Sequence, residues 1–410
     1  MAEASSTRPS ISKVSQAVRG PLAQVQDGLE RYFWPPAIRV EAAAGSGGEA
    51  VVIIGDRPST RYFSQKFAGE TAKDLSLGNT PIVGLSARLE DLCGKGDVVV
   101  GRLIAPVARA LARRNALCAP LLVQAKLSLP LSDEKKARIH KTQRDNIRKI
   151  RKNGLRYEIS TRAQDFDEFV DTYYRPFVLQ RFKERAGVMS RRVMRHHFRR
   201  GAIMWIEKDG ERVAGELFVD RAPVVRSIVA ATKQGREEHV RAGALSATYL
   251  FMSQWASENG YATLDWGGCD PSLASGVLMT KRRWGGAVYC KPYQRFGLVF
   301  SWGEFGPGVR RFFRETPLII RDGKDLAGFC VLSTEDRIDV AEIRALARRY
   351  LMNGLKRLYV VTGQGAFPAS STKGDRDSPV WLVPPGPPGE CLLSARPFPD
   401  VAWSDVDGGA

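Results

Sequence analysis

Two acidic residues interrupt runs that otherwise read as apolar strands. Glu216 lies inside VAGELFVD (213–220), and Asp265 lies inside ATLDWGG (262–268). A carboxylate in such a setting is costly unless it is paired or has a chemical task. The plainer alternatives are that Glu216 turns outward to solvent and that Asp265 caps the loop after its strand. Further on, GVLMTKRRWGG (276–286) sets Lys281 near Trp284 among glycines. A fixed ammonium there can face a developing oxyanion, or the basic cluster can simply be solvated. A third stretch, HVRAGALSATY (239–249), puts Arg241, Ala242, Gly243 and Ala244 at the start of a helical run. Open amides at a helix start, with an arginine beside them, make a phosphate-binding arrangement. Gly243 would equally serve a loop-to-helix turn.

The elements that would carry these residues follow from periodicity. AIMWIE (202–207) and RVAGELFVD (212–220) flank Lys208-Asp209-Gly210-Glu211, whose Asp-Gly pair signals a tight hairpin. A strand is expected near 224–231, a helix over 244–258, a strand over Ala262–Trp266, a glycine-broken loop, and a last strand near 287–291. Upstream, Ser132 stands as an N-cap before a long basic helix, 133–152, which Asn153-Gly154 ends. Leu155–Ile159 has β character. The stretch 164–179, with Phe166, Phe169, Val170 and Tyr173 at steps of three and four, is helical.

This order predicts an α/β (α+β) domain over 133–302, built on a mixed, mostly antiparallel sheet. A smaller α/β domain, 37–132, precedes it, with short strands (Ile38–Val40, Val51–Ile54, Val98–Val100), a helical stretch near 103–115 and no chemical motif. Residues 1–36 read as a disordered, polar segment with one short helix from Pro21 to Phe33. Residues 303–365 read as a small α/β extension. Residues 366–410, rich in Pro, Gly, Ser and Asp, read as a loosely ordered tail.

Charge narrows the partners. The 410 residues carry a formal net charge of +18, and the surplus is concentrated between Lys135 and Arg200. An anionic partner is implied, whether phosphate ester, nucleic acid or membrane surface. Within RDNIRKIRKNGL (144–155), Arg144, Arg148 and Arg151 fall on one helical face, while Ile147 and Ile150 point elsewhere. The helix is therefore amphipathic, packed by its isoleucines, and it offers arginines to a phosphate-bearing substrate or to water. The six cysteines are scattered, with no CxxC pair and no metal-ligand spacing, and residues 1–30 contain no apolar signal core. Reduced thiols in a cytoplasmic protein without a metal are expected. No apolar run is long enough for a membrane span.

Taken in order, RDNIRKIRKNGL, the hairpin around KDGERVAG, HVRAGALSATYLFMSQWASENGYATLDWGG and GVLMTKRRWGG resemble the GNAT superfamily of acyl transferases. Within it they resemble the Fem-type branch and the exopolysaccharide-associated (CelD-like) acyltransferases. The resemblance covers 135–300. It implies a GNAT-like fold that takes the pantetheine arm of acyl-CoA between two splayed strands, with the pyrophosphate on Arg241, Ala242, Gly243 and Ala244. Lys281 matches a Fem-type lysine that steadies the transferred carbonyl, with Thr280 and Trp284 standing where that branch has phenylalanines. The implied chemistry is attack of an amine on a thioester or ester carbonyl. An amine with a pKa near ~10.4 must lose a proton first, and Glu216 and Asp265 are the candidate acceptors.

No permanently bound cofactor is implied. The donor is acyl-CoA or, in the Fem-type form, aminoacyl-tRNA. The acceptor is an amine or sugar, in cell-envelope or polysaccharide metabolism. In the tRNA form the basic surface around Arg144, Arg148 and Arg151 would be the RNA track, with Trp284 in the substrate pocket. Fem-type proteins often carry a second, degenerate copy of the fold, a role open to 37–132. The competing reading is a non-catalytic nucleic-acid-binding protein, although the basic run lacks the interleaved aromatics of a single-strand platform.

Overall fold

The computed structural model describes residues 36–41, 50–56, 62–63, 73–79, 84–95, 97–113, 115–182, 187–333, 338–363 and 378–403. The short helix expected over Pro21–Phe33 lies outside them. The chain divides into two compact units. One comprises 1–118, 295–312 and 386–390; the other comprises 119–294, 313–385 and 391–410.

The first unit contains β1 (Pro36–Glu41), β2 (Ala50–Ile54), β3 (Lys73–Asn79), α1 (Leu85–Cys93), β4 (Val98–Ile104), α2 (Ala105–Ala112) and β5 (Leu117–Pro120), joined by β13 (Phe296–Ser301). Its sheet runs β3-β1-β2-β4-β13-β5. Strand β2 is apolar and buried along its whole length, as expected of a strand covered on both faces. Leu85, Leu89 and Leu92 recur at helical spacing on α1 and pack with Val52, Ile54, Val99 and Val299.

The second unit runs through β6 (Val123–Ser128), α3 (Asp133–Thr142), α4 (Arg144–Lys152), β7 (Arg156–Ser160), α5 (Ala163–Glu168), α6 (Arg175–Phe182), α7 (Arg191–Phe198), β8 (Gly201–Lys208), β9 (Glu211–Arg221), β10 (Val224–Thr232), α8 (Glu237–Arg241), α9 (Ala244–Glu258), β11 (Thr263–Cys269), α10 (Gly276–Arg283) and β12 (Ala287–Tyr289). Its seven-stranded sheet has the order β12-β6-β11-β10-β9-β8-β7. Every neighbouring pair is antiparallel except β10 and β11. The architecture is mixed α/β on a mostly antiparallel sheet. The β8–β9 hairpin turns on Asp209 (φ 53°) and Gly210 (φ 80°), the two left-handed positions that an Asp-Gly turn supplies.

The parallel pair is short. It joins Val224, Val225 and Arg226 to Thr263, Leu264 and Asp265. Beyond that point β10 shifts register against β9 between Ser227 and Val229, while β11 becomes irregular against β6 between Asp265 and Gly268. Helix α9 crosses between the two strands. Its buried side, with Ala244, Ala247, Met252 and Ala256, packs on Met204, Ile206, Phe218, Val225, Leu264 and Trp266. Burial of each large side chain there contributes about 1.5–3 kcal/mol.

A third sheet, β14 (Leu318–Asp322), β15 (Asp325–Val331), β16 (Arg357–Val361), β17 (Val380–Val383) and β18 (Arg396–Pro397), completes the unit. Along this stretch of chain lie α11 (Pro307–Glu315) and α13 (Pro388–Leu393), each of which begins in the first unit and ends in the second, and α12 (Val340–Tyr350) of the second unit. Asp339 caps α12 by accepting from the amides of Ala341 and Glu342. Ile343, Ala347 and Tyr350 of α12 share one core with Val123 and Val288 of the seven-stranded sheet and with Leu278 of α10.

Three expectations are corrected. The basic helix over 133–152 is two helices, α3 and α4, broken at the buried Gln143. There the Thr142 hydroxyl reaches the Arg283 carbonyl at 3.0 Å, and the Asn146 amide donates to Gln143 Oε1 at 2.7 Å. Strand β6, placed within 37–132 by sequence, pairs with β11 and β12, because its apolar alternation fits any half-covered sheet. Residues 378–403, assigned to a loose tail, contain β17, α13 and β18. The short apolar run VWLV is hidden there by its Pro- and Gly-rich surroundings.

The chain after α12 turns on Gly354 (φ 95°), where a Cβ would lie 1.9 Å from the Val288 carbonyl oxygen. Gly354→Ala is expected to cost about 2–3 kcal/mol or more, read as a lower urea midpoint at unchanged slope. A midpoint like that of the parent protein would contradict this close approach.

Candidate active site

Strand alternation decides where Glu216 goes. Ala214, Glu216 and Phe218 share the face covered by α9, whereas Leu217 packs on the other face with Ile203 and Trp205. Glu216 pairs with Met204 on β8 and Ala230 on β10, and it is 2% exposed. Its Oε2 has no hydrogen-bond partner. Burial pushes its pKa up to about 7, a rise moderated by the hydroxyls of Ser227 and Thr248 and by the charge of Lys281. The Thr248 hydroxyl already donates to the Leu245 carbonyl at 2.9 Å. A buried carboxyl with an unsatisfied oxygen and a near-neutral pKa is poised to exchange a proton.

Lys281 is the second buried charge. On α10, Leu278 and Lys281 lie three residues apart and both turn inward, while Arg283 stays exposed. Lys281 Nζ donates to the carbonyls of Gly267 and Gly268, each at 2.9 Å, which leaves one of its three hydrogens. Burial pushes its pKa down, opposed by Cys269, Asp265 and Glu216. The two glycines it holds lie within β11, where that strand is irregular against β6. At Gly267 (φ 75°) a Cβ would approach the Ser227 carbonyl oxygen to 2.9 Å, so this close crossing with β10 requires glycine.

Asp265 is 1% exposed and fully engaged. Its carboxylate accepts from Arg226 Nε at 2.6 Å, the Tyr289 hydroxyl at 2.8 Å and the Gly267 amide at 2.9 Å. These contacts make it the clasp of the β10–β11 pair, and its oxygens are committed to bonds rather than open to a substrate proton. An aromatic cluster packs in the interior. Tyr249 lies 4.7 Å from Trp266 and 6.0 Å from Trp284, the latter ring nearly parallel to it. Trp284, 2% exposed, packs with Ile139 of α3 and Ile147 of α4. It is a core anchor that ties both helices to α9. The Cys269 thiol faces the Val123 carbonyl, and burial raises its pKa, which holds it as a thiol.

The anion loop is braced rather than free. Gly243 (φ 96°) starts α9, with Lys149 Cβ and Ile150 against it. Asn153 Nδ2 donates to the Ala242 carbonyl at 3.0 Å. Gly243 and Ala244 are buried, while Arg241 is exposed and pairs with Glu237 at 3.1 Å. The first amides of α9 lack intrahelical partners, as at any helix start. Arg144, Arg148 and Arg151 are exposed on α4, and Arg148 lies 4.0 Å from Asp145. The structure thus gathers Glu216, Lys281 and Asp265 around the parting of β10 and β11. It sets the arginines on the outer surface and Trp284 in the core. Ser227, Thr248, Tyr249, Arg226 and Tyr289 join the site unannounced by the sequence. The register pair Arg226–Asp265 is the signal that would have found the clasp, and it requires knowing how the strands align.

No protein-family profile and no curated protein matches the chain. Among solved structures the chain is similar to FemX (12% identity, 65% of this chain and 88% of that one, TM-score 0.33). It is also similar to L-PGS from Bacillus licheniformis (14%, 65% and 81%, TM-score 0.31) and to a GCN5-related N-acetyltransferase from Sphaerobacter thermophilus (14%, 62% and 72%, TM-score 0.28). With TM-scores this low, the functional reading rests on the chain's own geometry.

Removing the Asp265 carboxylate leaves the half-exposed Arg226 to water but strands the Tyr289 hydroxyl and the Gly267 amide. Asp265→Ala is therefore expected to lower stability by about 1–3 kcal/mol, visible in chemical denaturation. An effect under about 1 kcal/mol would show that the clasp is dispensable.

Proposed function

We propose that the 119–294 segment is a GNAT-type acyltransferase that moves an acyl group to an amine, with Glu216 as the proton acceptor. The observation that carries this reading is the buried Glu216, its pKa raised to about 7 and its Oε2 unpartnered, set beside the place where β10 and β11 separate. An antiparallel series β7–β8–β9–β10, followed by a helix crossover to a briefly parallel β11, supports it. The gap between the parting strands suits an extended acyl-pantetheine arm, with its phosphates toward the start of α9.

In the reaction, the acceptor nitrogen attacks the thioester carbonyl carbon and its proton passes to Glu216. The tetrahedral intermediate collapses, the C–S bond breaks, and the thiolate leaves to be protonated. Lys281, fixed by two glycine carbonyls, supplies positive charge near the carbonyl oxygen. Asp265 acts as a positioning residue through Arg226, Tyr289 and the Gly267 amide.

Acyl-CoA is the donor this geometry favours, with an amine or amino-sugar acceptor in envelope or polysaccharide metabolism. The exposed arginines of α4 and the net charge of +18 favour a second form with an aminoacyl-tRNA donor. Thermal melts separate the two forms. Acetyl-CoA or a longer acyl-CoA should raise the midpoint, whereas a shift with charged tRNA alone would assign the second. No shift with either, together with no acyl transfer in any screen, would sink the enzyme reading.

Two predictions follow from the Glu216 pKa. Glu216→Gln should lower turnover by about 10²–10⁴-fold while leaving the fold intact by circular dichroism. The parent enzyme's rate should rise with pH through about 7, as the carboxyl loses its proton, and then level off. Glu216 also links pH to stability. Its folded pKa of about 7 lies above the unfolded value of 4.5, so the folded state holds the proton more tightly. The stability this gives is full below pH 4.5 and is lost as pH rises through 7, by on the order of 3 kcal/mol. Glu216→Gln should abolish that decline and be more stable than the parent above pH 7. Parallel stability–pH curves for the two proteins would contradict the buried, proton-binding carboxyl.

A further inference from the structure

A cavity of about 640 Å³ opens where three helices end, on the far side of α10 from the Lys281 ammonium. Each of the three finishes in basic residues: Lys141 on α3, Arg282 and Arg283 on α10, and Arg348 and Arg349 on α12. Their ends are fastened together. The Arg282 guanidinium donates to the carbonyls of Arg348 (2.9 Å) and Arg349 (2.5 Å), and the Thr142 hydroxyl reaches the Arg283 carbonyl at 3.0 Å.

Lys135, Lys141, Arg283, Arg348 and Arg349 all line the cavity, and among the described residues none has a carboxylate at ion-pair distance. Glu134 is the single acidic residue of the lining. These five cationic side chains are exposed around one concave space, where their fields add and attract an anion. No aromatic side chain lines the space; Ile139, Met279 and Met352 supply its apolar surface. It therefore offers phosphate recognition without a platform for stacked bases. Its volume is that of a small-molecule site rather than of an extended nucleic-acid track.

We propose that this cavity binds a compact phosphoester bearing two or more phosphate charges, such as a sugar diphosphate or a phosphorylated lipid headgroup. The site does not depend on the transfer reaction, and the arginines Arg144, Arg148 and Arg151 take no part in it.

The test is calorimetric titration of the full chain with inorganic pyrophosphate at low salt. Binding should weaken steeply as salt is added. The double variant Arg283→Ser/Arg349→Ser should bind at least about tenfold more weakly while melting no lower than the parent without ligand. The control variant Arg144→Ser/Arg148→Ser should bind as the parent does. Sedimentation with phosphatidylcholine vesicles, with and without phosphatidic acid, distinguishes the sources. Retention on phosphatidic acid that the Arg283/Arg349 pair abolishes identifies a lipid headgroup, and no retention alongside pyrophosphate binding identifies a soluble ester. Pyrophosphate affinity that is unchanged by the Arg283/Arg349 substitutions, or lost equally with the α4 arginines, overturns the proposal. So does an oligouridine that outcompetes pyrophosphate and keeps its affinity in the Arg283/Arg349 variant.

Discussion

The arrangement depends on one ionic contact, the buried Asp265 carboxylate held by the half-exposed Arg226 across the last register pair of β10 and β11. Parallel strands joined by a long helix have no hairpin to fix their alignment, so the side chains that bridge them must do it. Here the contact does more than align. Tyr289 from β12 and the Gly267 amide complete the carboxylate's bonds, so three strands are referenced to a single group. Past Asp265, Trp266 is followed by Gly267 and Gly268, where β11 becomes irregular against β6, and β10 shifts register against β9. The clasp both ends the pairing and defines where the gap begins. A pair open to solvent on one side adds little net stability; its contribution is geometric.

Glu216 lies on β9, the neighbour of β10, and its position carries a conflict. The residue sits mid-strand between Met204 and Ala230 in the centre of the sheet, where an apolar side chain would be more stable. Desolvation favours its protonated form, whereas the proton-accepting role proposed for it requires the anion. A pKa about 7 is compatible with both. Lys281 tempers the shift, but its ammonium is already committed to two glycine carbonyls. It therefore reaches Glu216 as a fixed field rather than as an ion-pair partner. A direct Lys–Glu bridge would lower the carboxyl's pKa and spoil it as a base.

Much of the fold was legible because it is local. The Asp209-Gly210 hairpin and the 244–258 helix depend on turn chemistry and a period of 3.6, both written in consecutive residues. Glu216 was legible for a related reason, since one charge in VAGELFVD conflicts with its neighbours. What escaped depends on contacts far apart in sequence. Arg226 and Asp265 are separated by the whole α9 crossover, and nothing near either names the other. The break at Gln143 was invisible because Thr and Gln are tolerated within helices; it is the reach of Thr142 to Arg283 that stops one helix and starts the next. In KRRWGG, three like charges read as one solvated cluster. Yet Lys281 follows Leu278 by three residues and goes in with it, while Arg283 stays out.

That division within α10 bears on how the chain uses its positive charge. A surplus of +18 suggests a diffuse electrostatic surface, but the structure sorts the cations by function. Lys281 is desolvated and bonded to backbone. Arg212 is satisfied by Glu158, Asp165 and Glu168. The α4 arginines lie in solvent, where screening reduces what they contribute to any contact. The helix-end cations around the 640 Å³ cavity differ from all of these. The helix ends that carry them are joined through Arg282 and Thr142, and Lys135, Lys141, Arg283, Arg348 and Arg349 line a concave surface with no carboxylate at ion-pair distance among the described residues. Concave walls focus the field that each charge produces, so a few fixed cations there outweigh many on an open helix. The recognition of phosphate by this chain is therefore expected to follow the packing of α3, α10 and α12 rather than the density of Lys and Arg along the sequence.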